Sequence, residues 1–298
     1  MRMKPTFSIV GAGRVGRALG HSLREHGWQV NCVITRSQRT ARAAVRVIGD
    51  GIACSTLAPE LLDSQVVFIT TPDGALSSVA AELAARLTRR GGKSWRGRIV
   101  LHTSGALDRS VLAPLQKMGA ATGSIPPMQS FSSGCVPPLQ GVLFGIEGDR
   151  RAVAMARRIA RDLGGIAAVI PAGRKVAYHT AAVMVAALGM GLLESAIQVL
   201  TSAGFTRQLA MQSLLKLMRQ MLSDAERKGT RKAWTGPLAR GDFATIAAHG
   251  RALRKHPREI RAAYEALSRV TVKTLGTHPE RVMRELNAAL STRPGGLR

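Results

Sequence analysis

Near its start this chain runs a short apolar strand straight into a glycine turn and then a helix. Phe7-Ser8-Ile9-Val10 is followed by Gly11-Ala12-Gly13-Arg14-Val15-Gly16, and residues 17–23 continue with helical periodicity. A strand, a G-x-G-x-x-G turn and a helix in that order constrain the region to a βαβ crossover. Gly11 permits the tight turn, Gly13 lets a pyrophosphate approach the backbone, and Gly16 lets helix and strand pack closely. The amides of Arg14, Val15 and Gly16 at the helix start favour an anion. A dinucleotide is the expected occupant, and a glycine turn without a ligand is the competing reading.

The next strand, residues 30–34, ends in Thr35-Arg36-Ser37, with Arg39 close behind. An acid at this point would bond a ribose 2′-hydroxyl, and none is present. A guanidinium and two hydroxyls suit a 2′-phosphate, because Arg binds phosphate bidentately. NADP (NADPH) is therefore expected in place of NAD, held by Thr35, Arg36 and Ser37. The alternative is that Arg36 is one of many surface arginines.

The arginines are indeed many. With 43 Lys+Arg against 18 Asp+Glu, the 298-residue chain carries a formal charge of +25. Such a field attracts any polyanion. The basic residues are spread along the length, aromatics are 4% of the chain, and no zinc-finger spacing occurs. No specific nucleic-acid partner is expected on those grounds. Three scattered cysteines (Cys32, Cys54, Cys135) without a C-x-x-C fit a reduced, cytoplasmic protein with no metal site. The N-terminus does not read as a signal peptide, since its basic residues lead directly into the first strand. The most apolar stretch, residues 181–193, is shorter than the ~20 residues of a membrane span, and it is expected to be a buried helix.

Strands alternate with helices over the first half. Strands are predicted at 52–54, 66–70, 98–101, 121–124, 142–146 and 166–170, with helices at 39–47, 75–87, 108–115 and 149–163 between them. This alternation predicts a doubly wound parallel sheet. Pro171-Ala172-Gly173 marks a boundary, giving a dinucleotide-binding domain at 1–172 and a helical substrate and dimerisation domain at 173–298. In the latter, helices are expected at 174–203, 208–228 and 242–254, with Pro257 and Pro279 starting two more. The last residues, 294–298, are expected to fray.

Ligands in open α/β sheets lie at the carboxyl ends of the strands. Besides the glycine turn, this selects Thr70-Thr71-Pro72-Asp73 for the cofactor's phosphates and ribose and His102-Thr103-Ser104-Gly105 for the nicotinamide and substrate. His102 fits either a functional donor or a satisfied core histidine. On the long helix, Lys175, Tyr178 and His179 are spaced to share one face. Each can give a proton to a carbonyl oxygen or an imine nitrogen; solvated or interfacial roles are the alternative. A third segment, residues 234–242, surrounds Arg240 with glycines. Thr235, Arg240 and Asp242 there fit an anion pocket or an interhelical turn with an Asp cap.

The stretches GAGRVGRAL, TTPD, LHTSGAL, SIPPMQSF, FGIEGD, YHTAAV and TGPLARGD run in order along the chain. Together they resemble a bacterial Rossmann-like family of NADP oxidoreductase type, whose C-terminal half is catalogued as a domain of unknown function. More distantly the chain is similar to pyrroline-5-carboxylate reductase, ketopantoate reductase and the β-hydroxyacid dehydrogenases. The resemblance implies an all-helical second domain like the C-terminal domain of 6-phosphogluconate dehydrogenase, which dimerises and closes the active site. It gives weight to Lys175, since a catalytic Lys opens the long helix in two of those groups. The family commonly has His-Pro and Ser-Asn where this chain has Pro126-Pro127 and Ala186-Ala187. The function implied is NADPH-dependent reduction of a C=O or C=N bond in a small anionic metabolite. A cofactor-binding sensor or degenerate subunit without turnover is the rival.

Overall fold

The computed structural model describes residues 5–57, 59–88 and 95–291, so the expected fraying at 294–298 lies outside the described residues. The chain forms two compact units, Met1–Ala186 and Ala187–Arg298. The expected boundary at residues 171–173 falls just before a long helix whose first turns belong to the first unit.

The first unit contains β1 (Thr6–Val10), α1 (Arg14–Glu25), β2 (Gln29–Ile34), α2 (Gln38–Ile48), β3 (Ile52–Cys54), β4 (Val66–Ile69) and α3 (Asp73–Thr88). It continues with β5 (Ile99–His102), α4 (Ala113–Lys117), β6 (Ala121–Ser124), β7 (Leu143–Gly148), α5 (Arg150–Asp162) and β8 (Ile166–Val169). One sheet runs in the order β3-β2-β1-β4-β5-β6-β7-β8. Alternate residues of its strands feed two cores. Phe7, Ile9 and Phe68 pack with Leu19 and Leu23 of α1, Ile48 of α2 and Ile159 of α5. Val10, Val67 and Ile69 pack with Leu76 and Leu83 of α3 and Leu115 of α4. Both faces are covered at the central strands β1, β4 and β5, as continuous apolar strands require, while the edge strand β8 is exposed along its length.

The alternation predicts a sheet parallel throughout, and the structure departs from that at one place. β7 runs antiparallel to β6. No helix separates the two strands, and a return parallel to the neighbouring strand needs a crossover, usually a helical one. The Pro- and Ser-rich segment at 125–142 instead folds back, with Pro127 bridging Phe144. Asp149 ties this joint to the following helix. Its carboxylate accepts the Thr122 N–H at 2.6 Å and the N–H groups of Arg151 and Ala152 at the start of α5. Its own N–H donates to the Thr122 carbonyl at 3.0 Å. The helix predicted at 108–115 also differs. Asp108 caps a 3₁₀ turn, Arg109–Leu112, and α4 begins only after it.

A 28-residue helix, α6 (Lys175–Ser202), runs from the first unit into the second. The second unit continues with α7 (Arg207–Lys228), the one-turn α8 (Thr230–Ala233) and α9 (Pro237–Arg240), α10 (Phe243–Ala252), α11 (Arg258–Leu275) and α12 (Pro279–Ser291). Ile246, Val272, Leu286 and Leu290 form its core. An apolar cavity of about 630 Å³ opens in this unit between Leu192, Val199, Leu214, Leu253, Ile260 and Leu267. The middle of α6 departs from expectation. Met184, Leu188 and Met190 are exposed and Val185 is 80% exposed, so the stretch read as a buried helix is bare in the single chain. By length and composition α6 could cross a membrane, with a mean hydropathy of 1.8 over 18 residues.

Candidate active site

The glycine turn forms at the carboxyl end of β1 as the sequence requires. Gly11 has φ +88, in the left-handed region, and a Cβ there would run into Thr71. Gly13 is the N-cap of α1, makes no side-chain cap bond and is followed by no acid in the first turn. Ser37 caps α2 and Thr206 caps α7, whereas α1, like α11, has no side-chain cap. The first amides of α1 are therefore left for an anion from outside. Thr70 braces the turn, its hydroxyl donating to the Gly11 carbonyl at 2.7 Å. The Thr71 hydroxyl beside it is buried with no partner among the described residues. A cradle that excludes Cβ atoms, uncapped amides and an orphan hydroxyl fit the pyrophosphate of a dinucleotide.

At the end of β2, Arg36 is exposed. Thr35 and Ser37 are partly committed to local structure. The Thr35 hydroxyl donates to the Ser37 carbonyl at 2.9 Å, and the Ser37 side chain caps α2 by accepting from the Thr40 N–H. Arg36 is thus the group best placed to meet a phosphate. Pro72 is exposed at the end of β4 and Thr103 half-buried at the end of β5.

Lys175 occupies the centre of the second cluster. It is 4% exposed, and its Nζ donates to the Ser104 carbonyl at 2.8 Å and to the Ser124 hydroxyl at 2.6 Å. Both partners lie at the carboxyl ends of neighbouring strands, β5 and β6, which are in register through His102 and Ser124. Burial lowers the Lys175 pKa from 10.5 to about 8, while Glu147, Asp108 and Asp73 oppose that shift. A lysine so placed remains an ammonium at neutral pH yet releases a proton readily.

Tyr178 and His179 share the face of α6 that carries Lys175, as the spacing predicts. The Tyr178 hydroxyl donates to the Pro126 carbonyl at 3.1 Å, and burial raises its pKa. Its proton is therefore committed to holding the corner after β6. The exposed His179 imidazole lies over Gly105, where a Cβ would collide with it. The Ser104 hydroxyl donates to Asp73 at 2.9 Å and accepts from the N–H groups of Ala106 and Leu107, so it braces its own loop.

The structure places His102 in the core. It is fully buried, its Nδ1 accepts from the Ser104 N–H, and its Nε2 faces the Asp108 carbonyl at 3.2 Å. This network assigns the proton to Nε2. Burial, with the Lys175 charge nearby, lowers its pKa to about 3. His102 is therefore neutral and shapes the loop from Ser104 to Asp108.

The remaining predicted residues belong to the second unit. Thr235 and Arg240 are exposed, while Asp242 caps α10 by accepting from the N–H and hydroxyl of Thr245. Sequence reasoning missed Ser124 and Glu147, and it placed Asp73 only at the end of a cofactor segment, whereas its carboxylate accepts from Ser104. Glu147 had a detectable signal, a carboxylate ending an apolar strand.

Comparison with known proteins agrees with this organisation. Residues 2–127 match the profile of the Rossmann-like domain, and residues 142–271 match that of a domain of unknown function, DUF2520. No curated protein matches the chain significantly. Among solved structures, a candidate NADP oxidoreductase from Bacteroides fragilis is 21% identical, with a TM-score of 0.71 over 90% of this chain and 98% of its own. A reductive aminase from Aspergillus terreus, in complex with NADPH and ethyl-5-oxohexanoate, is 17% identical, with a TM-score of 0.61 over 92% and 95%. An imine reductase from a Pseudomonas species is 19% identical, with a TM-score of 0.60 over 94% and 99%. At these identities the likeness is one of fold.

Proposed function

Because the chain joins a Rossmann-like domain to a DUF2520 domain, we propose that it is an NADPH-dependent oxidoreductase. On this reading it reduces a C=O or C=N bond of a small, anionic metabolite. The observation that carries the reading is the Lys175 ammonium, buried at the carboxyl ends of β5 and β6 beside Ser104 and Ser124. The names of the structurally similar reductive aminase and imine reductase support the chemistry and the cofactor.

The amides of Arg14, Val15 and Gly16 would hold the pyrophosphate, with Gly11 and Gly13 letting it approach. Arg36 would take the 2′-phosphate, and Thr71 and Thr103 would line the remainder. When bound, the nicotinamide supplies a hydride to the substrate carbon. Lys175 gives a proton to the substrate oxygen or nitrogen. His179 borders the same loop and orients the substrate. Ser104, His102 and Tyr178 act indirectly, by fixing the two strand-end loops against α6.

The test combines NADPH binding, followed by fluorescence, with oxidation of NADPH against a panel of oxo acids and cyclic imines. Turnover on one of them supports the assignment. Tight binding without turnover on any supports the second reading, a cofactor sensor, which the apolar Pro126-Pro127 and Ala186-Ala187 pairs favour.

The same reading makes the protein a cytoplasmic homodimer. Met184, Val185, Leu188 and Met190 lie exposed on α6, and a second copy of the chain would cover them. Sedimentation equilibrium of the purified protein is expected to give a dimer. Recovery in the membrane fraction would instead assign α6 to the bilayer.

A further inference from the structure

A line of polar groups leads from Lys175 to solvent. The ammonium donates to the Ser124 hydroxyl at 2.6 Å. That hydroxyl donates in turn to the Glu147 carboxylate at 3.5 Å, and the carboxylate is 4.0 Å from the ammonium itself. Lys175 and Glu147 also line a small cavity of about 140 Å³, together with Ala106, Asp108 and Pro171. Asp108 and Pro171 at its rim are exposed, so water reaches the carboxylate.

We infer that Glu147, acting through Ser124, keeps Lys175 charged and returns a proton to it from the solvent in this cavity. The inference rests on Lys175 as the proton donor of the proposed reaction. The steps balance without any heavy-atom bond being made or broken. Lys175 loses one N–H proton to the substrate and becomes an amine. Ser124 turns its O–H toward that amine, and its proton passes to the lysine nitrogen. Glu147, having taken a proton from water in the cavity and left the hydroxide to the bulk solvent, passes that proton to the Ser124 oxygen and is a carboxylate again. One solvent proton has then entered the product.

The other titratable groups facing Lys175 are differently engaged. Asp73, at the start of α3, accepts from the Ser104 hydroxyl. The Asp108 carboxylate is bound by the N–H and hydroxyl of Ser110. His102 on β5 is neutral, with both ring nitrogens on main-chain partners. Glu147 alone among them touches the hydroxyl that Lys175 itself contacts. It also accepts the Arg109 N–H at 3.2 Å, which holds the carboxylate in place.

The test reads the Lys175 amine directly, by NMR of lysine-labelled protein without substrate or NADPH, the signal being assigned by its loss in Lys175→Met. In Glu147→Gln the midpoint is expected to fall by about 1–3 pH units, the effect of removing an opposite charge at this range. Glu147→Asp should recover part of the shift. A purely structural role predicts the opposite, a midpoint rising toward that of a solvated lysine as the site loosens. An unmoved or raised midpoint overturns the inference. Ser124→Ala should slow exchange of the ammonium protons with solvent several-fold at fixed pH, and unchanged exchange also overturns it. These readings do not depend on turnover, so a failure of the proposed reductase activity is separately visible.

Discussion

The Thr70 hydroxyl lies where a Cβ on Gly16 would have to go. Helix α1 can approach β1 and β4 this closely only with no side chain at that position. Gly16→Ala is expected to push Thr70 off the Gly11 carbonyl and distort the turn. The cost should be about 1–3 kcal/mol of stability, as for other overpacked sites, accompanied by weaker NADPH binding. Urea denaturation and a fluorescence titration check both. A variant with wild-type stability and affinity would refute this account of the turn.

Arg36→Asp should exchange a phosphate-binding group for a hydroxyl-binding one. A hydrogen bond to a charged group is worth about 1.5–3 kcal/mol, so NADPH affinity should fall roughly 10- to 100-fold. NADH affinity should hold or rise. The ratio of the two dissociation constants is the measurement.

Lys175→Met should lower turnover by about 10²–10⁴-fold, the range for losing a general acid, with NADPH affinity retained. In the wild type, the rate should fall as pH rises through about 8, where the ammonium is lost. Stability carries a matching signature. The folded pKa is below the unfolded value of 10.5, so the unfolded chain binds more protons between about 8 and 10.5. Stability from this group therefore rises with pH across that window. Denaturation midpoints of Lys175→Met, compared with wild type, should lack this slope.

His102 titrates in the same sense at acid pH. Its folded pKa of about 3 lies below the unfolded value of 6.5, so stability from the neutral ring is present above 6.5 and lost as pH falls toward 3. His102→Gln should remove this acid-dependent component. It should also cost about 1–3 kcal/mol at neutral pH by disturbing the bonds to Ser104 and Asp108. Urea denaturation at a series of pH values tests both.

Much of the fold is legible in the sequence because its signals are local. The apolar run Val66-Val67-Phe68-Ile69 marks β4, Asp149 marks the start of α5, and Gly11 to Gly16 mark the first crossover. The direction of β7 is not legible, because the path of residues 125–142 decides it and no periodicity encodes that path. The site is half legible. Helical spacing unites Lys175, Tyr178 and His179, and strand ends place His102 and Ser104 nearby. Which hydroxyls are already committed depends on distances across the fold. Ser104 has a free hydroxyl on paper and is bound to Asp73 in the structure. Glu147 and Ser124 meet Lys175 only because β7 folds back beside β6.

One carboxylate, that of Asp149, completes a strand contact at Thr122 and the opening turn of α5 together. The reversal of the sheet and the docking of that helix therefore share this fastening and should come apart together. Amide exchange in β6, β7 and the first turn of α5 should then show one common opening free energy, and Asp149→Ala should lower it for all three at once.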